Sequence, residues 1–158
     1  LYFNPGEISL LLYVDQPGFR LNTLGFIRST QVPTVYPATR AARLGMAEIL
    51  NGGGAAGQGA VRNLCKLATS LTWGVVASRS GEGTLRFVYQ NSTSKPLPYE
   101  VTVDGGPAFA LNLPATNEAW ESFDLKVPLQ AGANRVQLHS LIPGWESITL
   151  ERLELLNP

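Results

Sequence analysis

Strict alternation of apolar and polar side chains is the feature that most limits what this chain can become. In Tyr99-Glu100-Val101-Thr102-Val103-Asp104 every odd position is apolar, and Asp104-Gly105-Gly106 closes the run with a turn. Phe123-Asp124-Leu125-Lys126-Val127-Pro128-Leu129 repeats the pattern ahead of Gly132. Leu85, Phe87 and Tyr89 alternate with Arg86, Val88 and Gln90 and lead into Asn91-Ser92-Thr93. Successive side chains of a strand point to opposite faces, so these runs read as half-buried antiparallel strands. Pro128 has no N–H to give to a ladder, so its strand ends there or runs along a sheet edge. Ile148 and Leu150 share one phase, whereas Leu153 and Leu155 share the other. The slip at Glu151-Arg152 predicts a β-bulge. Strands at this spacing, punctuated by turn residues, predict an all-β antiparallel β-sandwich.

One segment leaves two readings open. Ala38 to Leu50 is Ala-rich, with Ala41, Leu44 and Glu48 near helical spacing, but Gly45 sits in its middle. Glycine weakens a helix by about 1 kcal/mol relative to Ala, so a short helix or turn competes evenly with a strand.

The chain also repeats itself. An offset of 126 residues, the distance from Pro17 to Pro143, aligns Pro17-Gly18-Phe19 with Pro143-Gly144-Trp145. Without a gap it also pairs Gly6 with Gly132, Leu12 with Leu138, Thr23 with Thr149 and Leu24 with Leu150. Residues 1–28 therefore read as an extra β-hairpin, the closing strands of a preceding similar module. Residues 29–37 read as a linker, with Ser29, Thr30, Pro33 and Thr34, and residues 38–158 as a complete sandwich. An isolated hairpin is marginally stable in water. The apolar residues Leu10, Leu12, Leu21, Leu24, Phe26 and Ile27 are expected to pair with another chain or to cover the complete module. The 158 residues then describe a cut from a longer array.

Composition removes several classes of function. Twelve basic and twelve acidic side chains cancel, so the chain lacks the overall charge that attracts nucleic acid or an anionic membrane. No apolar run reaches membrane-spanning length. The single Cys65 excludes an internal disulfide framework, and with the single His139 it cannot build a zinc site. Gly52 to Gly57 spells G-x-G-x-x-G, but no Asp or Glu lies between Glu48 and Glu82, so it reads as a flexible loop and not as a nucleotide fingerprint. His139 falls on a strand with no nucleophile elbow nearby, and no pair of carboxylates stands out for glycoside hydrolysis. The sequence points to no catalytic residue.

Three stretches together resemble the carbohydrate-binding modules of families 6 and 35, which share a galactose-binding-domain-like jelly roll. They are Gly83 to Asn91, Trp120 to Asn134 with its Ala-Gly-Ala-Asn turn, and the Pro-Gly-aromatic hairpin from Pro143 to Leu155. The resemblance covers roughly residues 35–156, with the closing strands repeated at 5–28. Two departures qualify what it implies. The family usually opens on Tyr-Glu-Ala-Glu-x-Ala, whose two Glu help hold a structural calcium. Here Tyr36-Pro37-Ala38-Thr39-Arg40-Ala41 stands in that place. Calcium takes 6–8 oxygen ligands, often carboxylates, so the structural ion is expected to be absent and no cofactor is implied. The family's cleft also often uses an Asn after the aromatic of the closing turn, where Glu146 stands here.

The candidate sugar-binding residues are Trp120, Trp145, Glu146 and Asn117; no metal ligands are proposed. Trp120 follows the polar stretch Ala115-Thr116-Asn117-Glu118-Ala119, and an indole face can stack on a pyranose while polar neighbours fix its orientation. The bland alternatives are a Trp120 that caps the sandwich, a Trp145 that plugs its end, and a Glu146 that is a solvated turn carboxylate. The glycines of the loop from Gly52 to Gly57 could instead form the rim of a sugar cleft, though that loop offers no aromatic partner for Trp120. Trp73 and Tyr89 are expected in the core, Cys65 as a buried thiol and His139 exposed on a strand. The Asn91-Ser92-Thr93 sequon carries no meaning in the bacterial setting that the family suggests.

The resemblance implies a non-catalytic carbohydrate-binding module that targets a secreted, bacterial polysaccharide-degrading enzyme to glycan. Its partners would be a polysaccharide or oligosaccharide and an adjacent module or catalytic domain, with no nucleic acid and no membrane. The alternatives are a structural spacer or docking sandwich of a glycoside hydrolase that has lost sugar binding, a non-catalytic sandwich contributing to a hydrolase's active-site rim, and a glycan-binding adhesin or lectin domain.

Overall fold

The computed structural model describes residues 34–156. The expected extra hairpin at 1–28 and most of the expected linker lie outside them. Eleven strands follow one another, with one short 3-10 helix, Ala38–Arg40, near the start. They are β1 (Val35–Pro37), β2 (Ala42–Leu44), β3 (Glu48–Leu50), β4 (Ala60–Arg62), β5 (Ser70–Ala77), β6 (Gly81–Gln90), β7 (Leu97–Val103), β8 (Phe109–Leu113), β9 (Glu121–Leu129), β10 (Gly132–Ser140) and β11 (Thr149–Leu156). Every pairing among them is antiparallel.

One sheet runs β3-β4-β11-β6-β9, with β1 joined to β11 further along the edge that β4 begins. The other runs β2-β5-β10-β7-β8. The alternating residues supply both inner faces. Leu85, Phe87 and Tyr89 of β6 and Leu153 and Leu155 of β11 face Leu71, Trp73 and Val75 of β5, Tyr99 and Val101 of β7, and Val136 and Leu138 of β10. Each buried side chain of this size contributes about 1.5–3 kcal/mol over an exposed one, so the apolar phase of each strand is what selects its register. Tyr99 is also a polar anchor: its hydroxyl donates to the Leu64 carbonyl at 2.7 Å and accepts from the Ile148 N–H at 3.2 Å. Burial pushes that phenol's pKa well above the ordinary tyrosine value.

The slip in the last strand is a bulge. Leu150 pairs with Tyr89 and Arg152 with Val88, leaving Glu151 as the extra residue. Leu150 and Leu153 thereby both point inward and are fully buried. β9 forms a sheet edge, where Pro128 opposes Glu82 at no cost to an interior ladder. The ambiguous stretch resolves as a single 3-10 turn followed by two short strands. Gly45 divides them at φ +76°, and a Cβ there would meet the Thr69 Cα at 2.8 Å. The helical spacing failed because the one residue that breaks it is the residue the turn requires.

The boundary at 38 needs correction. Val35–Pro37, expected in the linker, forms β1 against Arg152 to Glu154, and Tyr36 is buried. Its hydroxyl accepts the Val76 N–H at 2.8 Å and so ties the two sheets together. Pro37 accommodates a strand because it lies at the sheet's margin. Trp73, Tyr89 and Cys65 are buried as expected, while His139 is half-buried between β5 and β7 rather than exposed. No helix among the described residues is long and apolar enough to cross a membrane.

Candidate functional site

The loop from Pro114 to Trp120 joins β8 to β9 and is fixed from beneath by the end of β6. Asn91 is buried, and its side-chain amide donates to the carbonyls of Leu113, Pro114 and Lys95 at 3.0–3.1 Å. Its backbone N–H donates to the Thr116 hydroxyl at 3.0 Å, and the Thr116 N–H returns to the Asn91 carbonyl at 2.9 Å. The Gln90 amide donates to the Glu118 carbonyl. These bonds hold two successive non-glycine residues in the left-handed region, Asn117 at φ 49° and Glu118 at φ 66°. Asn tolerates that conformation, but for Glu118 it costs roughly 1–2 kcal/mol, so the loop shape is imposed by its partners. Asn91 is therefore an internal pin, and its sequon is not a surface acceptor.

The pinned loop delivers Trp120, half-buried, to the outer face of the first sheet. There it walls a shallow depression of about 320 Å³ together with Ala55, Arg86, Val88, Glu121, Ser122, Arg152 and Glu154. The floor is a row of paired charges crossing β9, β6 and β11. Arg86 grips Asp124 with both ends of its guanidinium, Nε to Oδ1 at 2.7 Å and Nη2 to Oδ2 at 2.8 Å. That hydrogen bond is the main reason the Asp124 carboxyl lies below the usual carboxylate range. Arg152 donates from Nε to Glu154 Oε1 at 2.6 Å and from Nη1 to the Glu151 carboxylate.

The wall opposite Trp120 comes from the glycine-rich loop. Glu151, the bulged residue, has a side chain only 2% exposed beneath that loop, and its Oε1 accepts the Ala56 N–H at 2.7 Å. A Cβ at Gly54 would lie 2.5 Å from the same oxygen, so glycine is needed for the loop to close over the carboxylate. The segment read as a flexible loop is in fact fastened. The Ala56 N–H helps to satisfy a buried charge, and Ala55 beside it reaches the depression.

The four sequence-nominated residues are not gathered in one place. Asn117, exposed on the same loop as Trp120, lines a neighbouring hollow of about 270 Å³ with Tyr89, Thr116 and Phe123. The two hollows share only Glu121 and Ser122. Trp145 and Glu146 line neither. Trp145 is 72% exposed, so it does not plug the sandwich. Lys66 holds its ammonium 4.2 Å from the indole centroid and donates to the Pro143 carbonyl at 3.2 Å, covering one face of the ring. Glu146 is tied to Lys95 at 2.9 Å. Trp145 thus stands out from the turn between Leu141 and Ile148, with Lys66 its ring contact among the described residues.

Sequence reasoning missed Arg86, Arg152 and Glu154, while the glycine loop that it allowed as a rim contributes Ala55. One signal was present: Val88 is apolar on the outward phase of β6, yet it is 7% exposed and lines the same depression as Trp120 and Ala55. A buried residue on the polar phase marks where an outer face is covered.

For the family's structural calcium the donors do not fit. The opening stretch contributes Pro37 and Thr39 in place of the two carboxylates, with the cation Arg40 beside them, and among the described residues no three His, Cys, Asp or Glu side chains cluster for a metal. Glu151 already has its charge met by Arg152 and the Ala56 N–H.

No protein-family model matches the sequence, and no curated protein matches it. Solved structures do share the fold. The exo-β-1,3-galactanase of Phanerochaete chrysosporium, solved with β-1,3-galactotriose, aligns at TM-score 0.69 and 25% identity over 81% of this chain. The match spans only 30% of the galactanase chain. A family 35 carbohydrate-binding module from Clostridium thermocellum aligns at TM-score 0.68 and 22% identity, over 81% of this chain and 100% of the module. An isomalto-dextranase from Arthrobacter globiformis, complexed with panose, aligns at TM-score 0.65 and 28% identity, over 77% of this chain and 22% of the enzyme.

Proposed function

We propose that this jelly roll, which has the fold of the family 35 carbohydrate-binding modules, is itself a non-catalytic carbohydrate-binding module. The depression at Trp120 is its glycan site. The observation that carries the reading is the combination of a half-buried, rigidly presented indole with a polar floor, on a sandwich whose buried polar groups are otherwise committed to the fold. An indole offers its face to the C–H side of a pyranose, and the flanking groups hydrogen-bond hydroxyls. Two of the similar structures are carbohydrate-active enzymes in which the aligned region is a minor part of the chain. By that analogy the module sits beside a catalytic domain in a polysaccharide-degrading enzyme, which we take to be secreted and bacterial from the family resemblance and not from these two structures. It would keep that enzyme near its substrate by raising effective concentration. A complete preceding module, of which residues 1–28 would be the closing strands, would add a second contact in tandem.

Affinity electrophoresis through gels containing β-1,3-galactan or dextran tests the reading. Retardation of the wild type, abolished in Trp120→Ala, is the expected result. Unretarded migration through these and a wider panel of glycans contradicts it. That outcome favours the second reading, a spacer that has lost sugar binding, which the ion pair between Glu146 and Lys95 supports because it occupies the position of the family's cleft Asn.

A further inference from the structure

We propose that the Trp120 depression selects uncharged glycan chains and turns away uronate-bearing or sulfated ones, with Arg86, Arg152 and Glu154 as its hydroxyl-binding floor. The inference rests on the glycan-binding reading above and adds the ligand class and three contact residues that the sequence did not nominate.

Two arginines on a sugar-binding surface suggest at first an acidic ligand. The pairing removes that suggestion. Arg86 is engaged by Asp124 through two hydrogen bonds, with Glu154 opposite it on the neighbouring strand. Arg152 is engaged by Glu154 and Glu151. Glu121 lines the same depression. Two guanidinium groups are thus bound by three carboxylates, those of Asp124, Glu154 and Glu151, and Glu121 adds a fourth negative charge to the lining. An incoming carboxylate or sulfate would have to displace a partner already in place, and would meet an excess of negative charge.

The same pairing leaves the floor well suited to hydroxyls. A guanidinium carries five N–H donors in a fixed plane. The contacts described use Nε and Nη2 of Arg86, and Nε and Nη1 of Arg152. The Arg86 Nη1 and Arg152 Nη2 hydrogens are not used in them, and each carboxylate oxygen keeps acceptor capacity. A sugar hydroxyl both donates and accepts, so it can bridge a guanidinium and a carboxylate without breaking their ion pair. An anion can only accept. The charges are also held in place before binding: Glu154 is 18% exposed and Arg152 25%, so little ordering remains for the ligand to impose.

The experiment is affinity electrophoresis of the full chain against matched neutral and acidic polymers at low and high salt. The neutral set is β-1,3-galactan, dextran and mannan; the acidic set is polygalacturonate and alginate. The expected result is binding to at least one neutral polymer that changes less than twofold between the salts. Affinity for the acidic polymers should be at least tenfold weaker, and the double variant Glu121→Gln/Glu154→Gln should narrow that gap at least threefold. Both side chains are at the surface of the depression, so the variant tests charge without emptying the core. Acidic polymers bound as tightly as neutral ones, through a site that Trp120→Ala removes, would overturn the selectivity while leaving glycan binding intact. Binding of no polymer in either set would overturn both.

Discussion

Two tryptophans close to the loop end of the same sandwich have opposite surroundings. Trp120 is half-buried, stands on a loop that buried Asn91 pins through both its side chain and its backbone, and faces a second wall that buried Glu151 fastens. Trp145 is the more exposed ring, but it stands on an open turn with one face under Lys66 and, among the described residues, lines neither hollow. Exposure alone would choose Trp145 as the binding platform. Presentation chooses Trp120, because a ring that is already oriented gives up less freedom on binding than one that must be ordered by its ligand. The difference between the two rings lies in buried polar residues several positions away in the sequence.

Removing those residues should break the comparison most severely. Glu151→Ala takes one of the two carboxylate partners from half-buried Arg152, leaving Glu154, and the buried acceptor from the Ala56 N–H. It should destabilise the fold by about 3 kcal/mol in urea melts and weaken glycan binding as well. Asn91→Ala takes the buried side-chain donor from the Leu113 and Pro114 carbonyls, leaving Pro114 only the Tyr89 hydroxyl at 3.3 Å, with an expected cost on the order of 2 kcal/mol and a similar loss of binding as the Trp120 loop relaxes. Trp145→Ala should do neither. Trp120→Ala separates binding from stability: isothermal titration should show at least a tenfold loss of affinity, about 1.4 kcal/mol, with a melting transition close to that of the wild type. Trp145→Ala measured beside it should stay within twofold, and a loss equal to that of Trp120→Ala would erase the distinction.

The smallest effect concerns the floor. Arg86 holds the Asp124 carboxyl below its ordinary value, so the folded state favours the ionised form. The stabilisation is fully present above the unfolded carboxyl value of about 3.9 and is lost as pH falls through the lower folded value. Asp124→Asn should therefore be slightly less stable than the wild type at neutral pH, and the two should converge in acid. A constant difference across that range would mean that the pair contributes nothing through charge.

The sandwich was legible because alternation records burial directly. Leu85, Phe87 and Tyr89, and the bulge at Glu151-Arg152, follow from phase alone. Boundaries and sites record other things. β1 was hidden because Tyr36-Pro37 has no alternating run to announce it, and its burial depends on β11, more than a hundred residues later. The Gly52–Gly57 loop looked free because nothing local reveals that Glu151 lies beneath it. Trp120 and Asn117 were nominated together since they share a loop, yet the left-handed turn at Asn117 and Glu118 sends them into separate hollows. The depression's floor belongs to three strands distant in sequence, and only the outward Val88 hinted at it.

The most direct test is a nitrogen–proton correlation spectrum of the full chain during titration with a neutral oligosaccharide that it retains, read at the indole N–H signals assigned by Trp120→Phe and Trp145→Phe. A saturable shift of the Trp120 indole, with the Trp145 indole unmoved, is what a walled glycan site at Trp120 requires. A saturable shift at Trp145 with Trp120 unmoved would place the sugar on the open turn and contradict it.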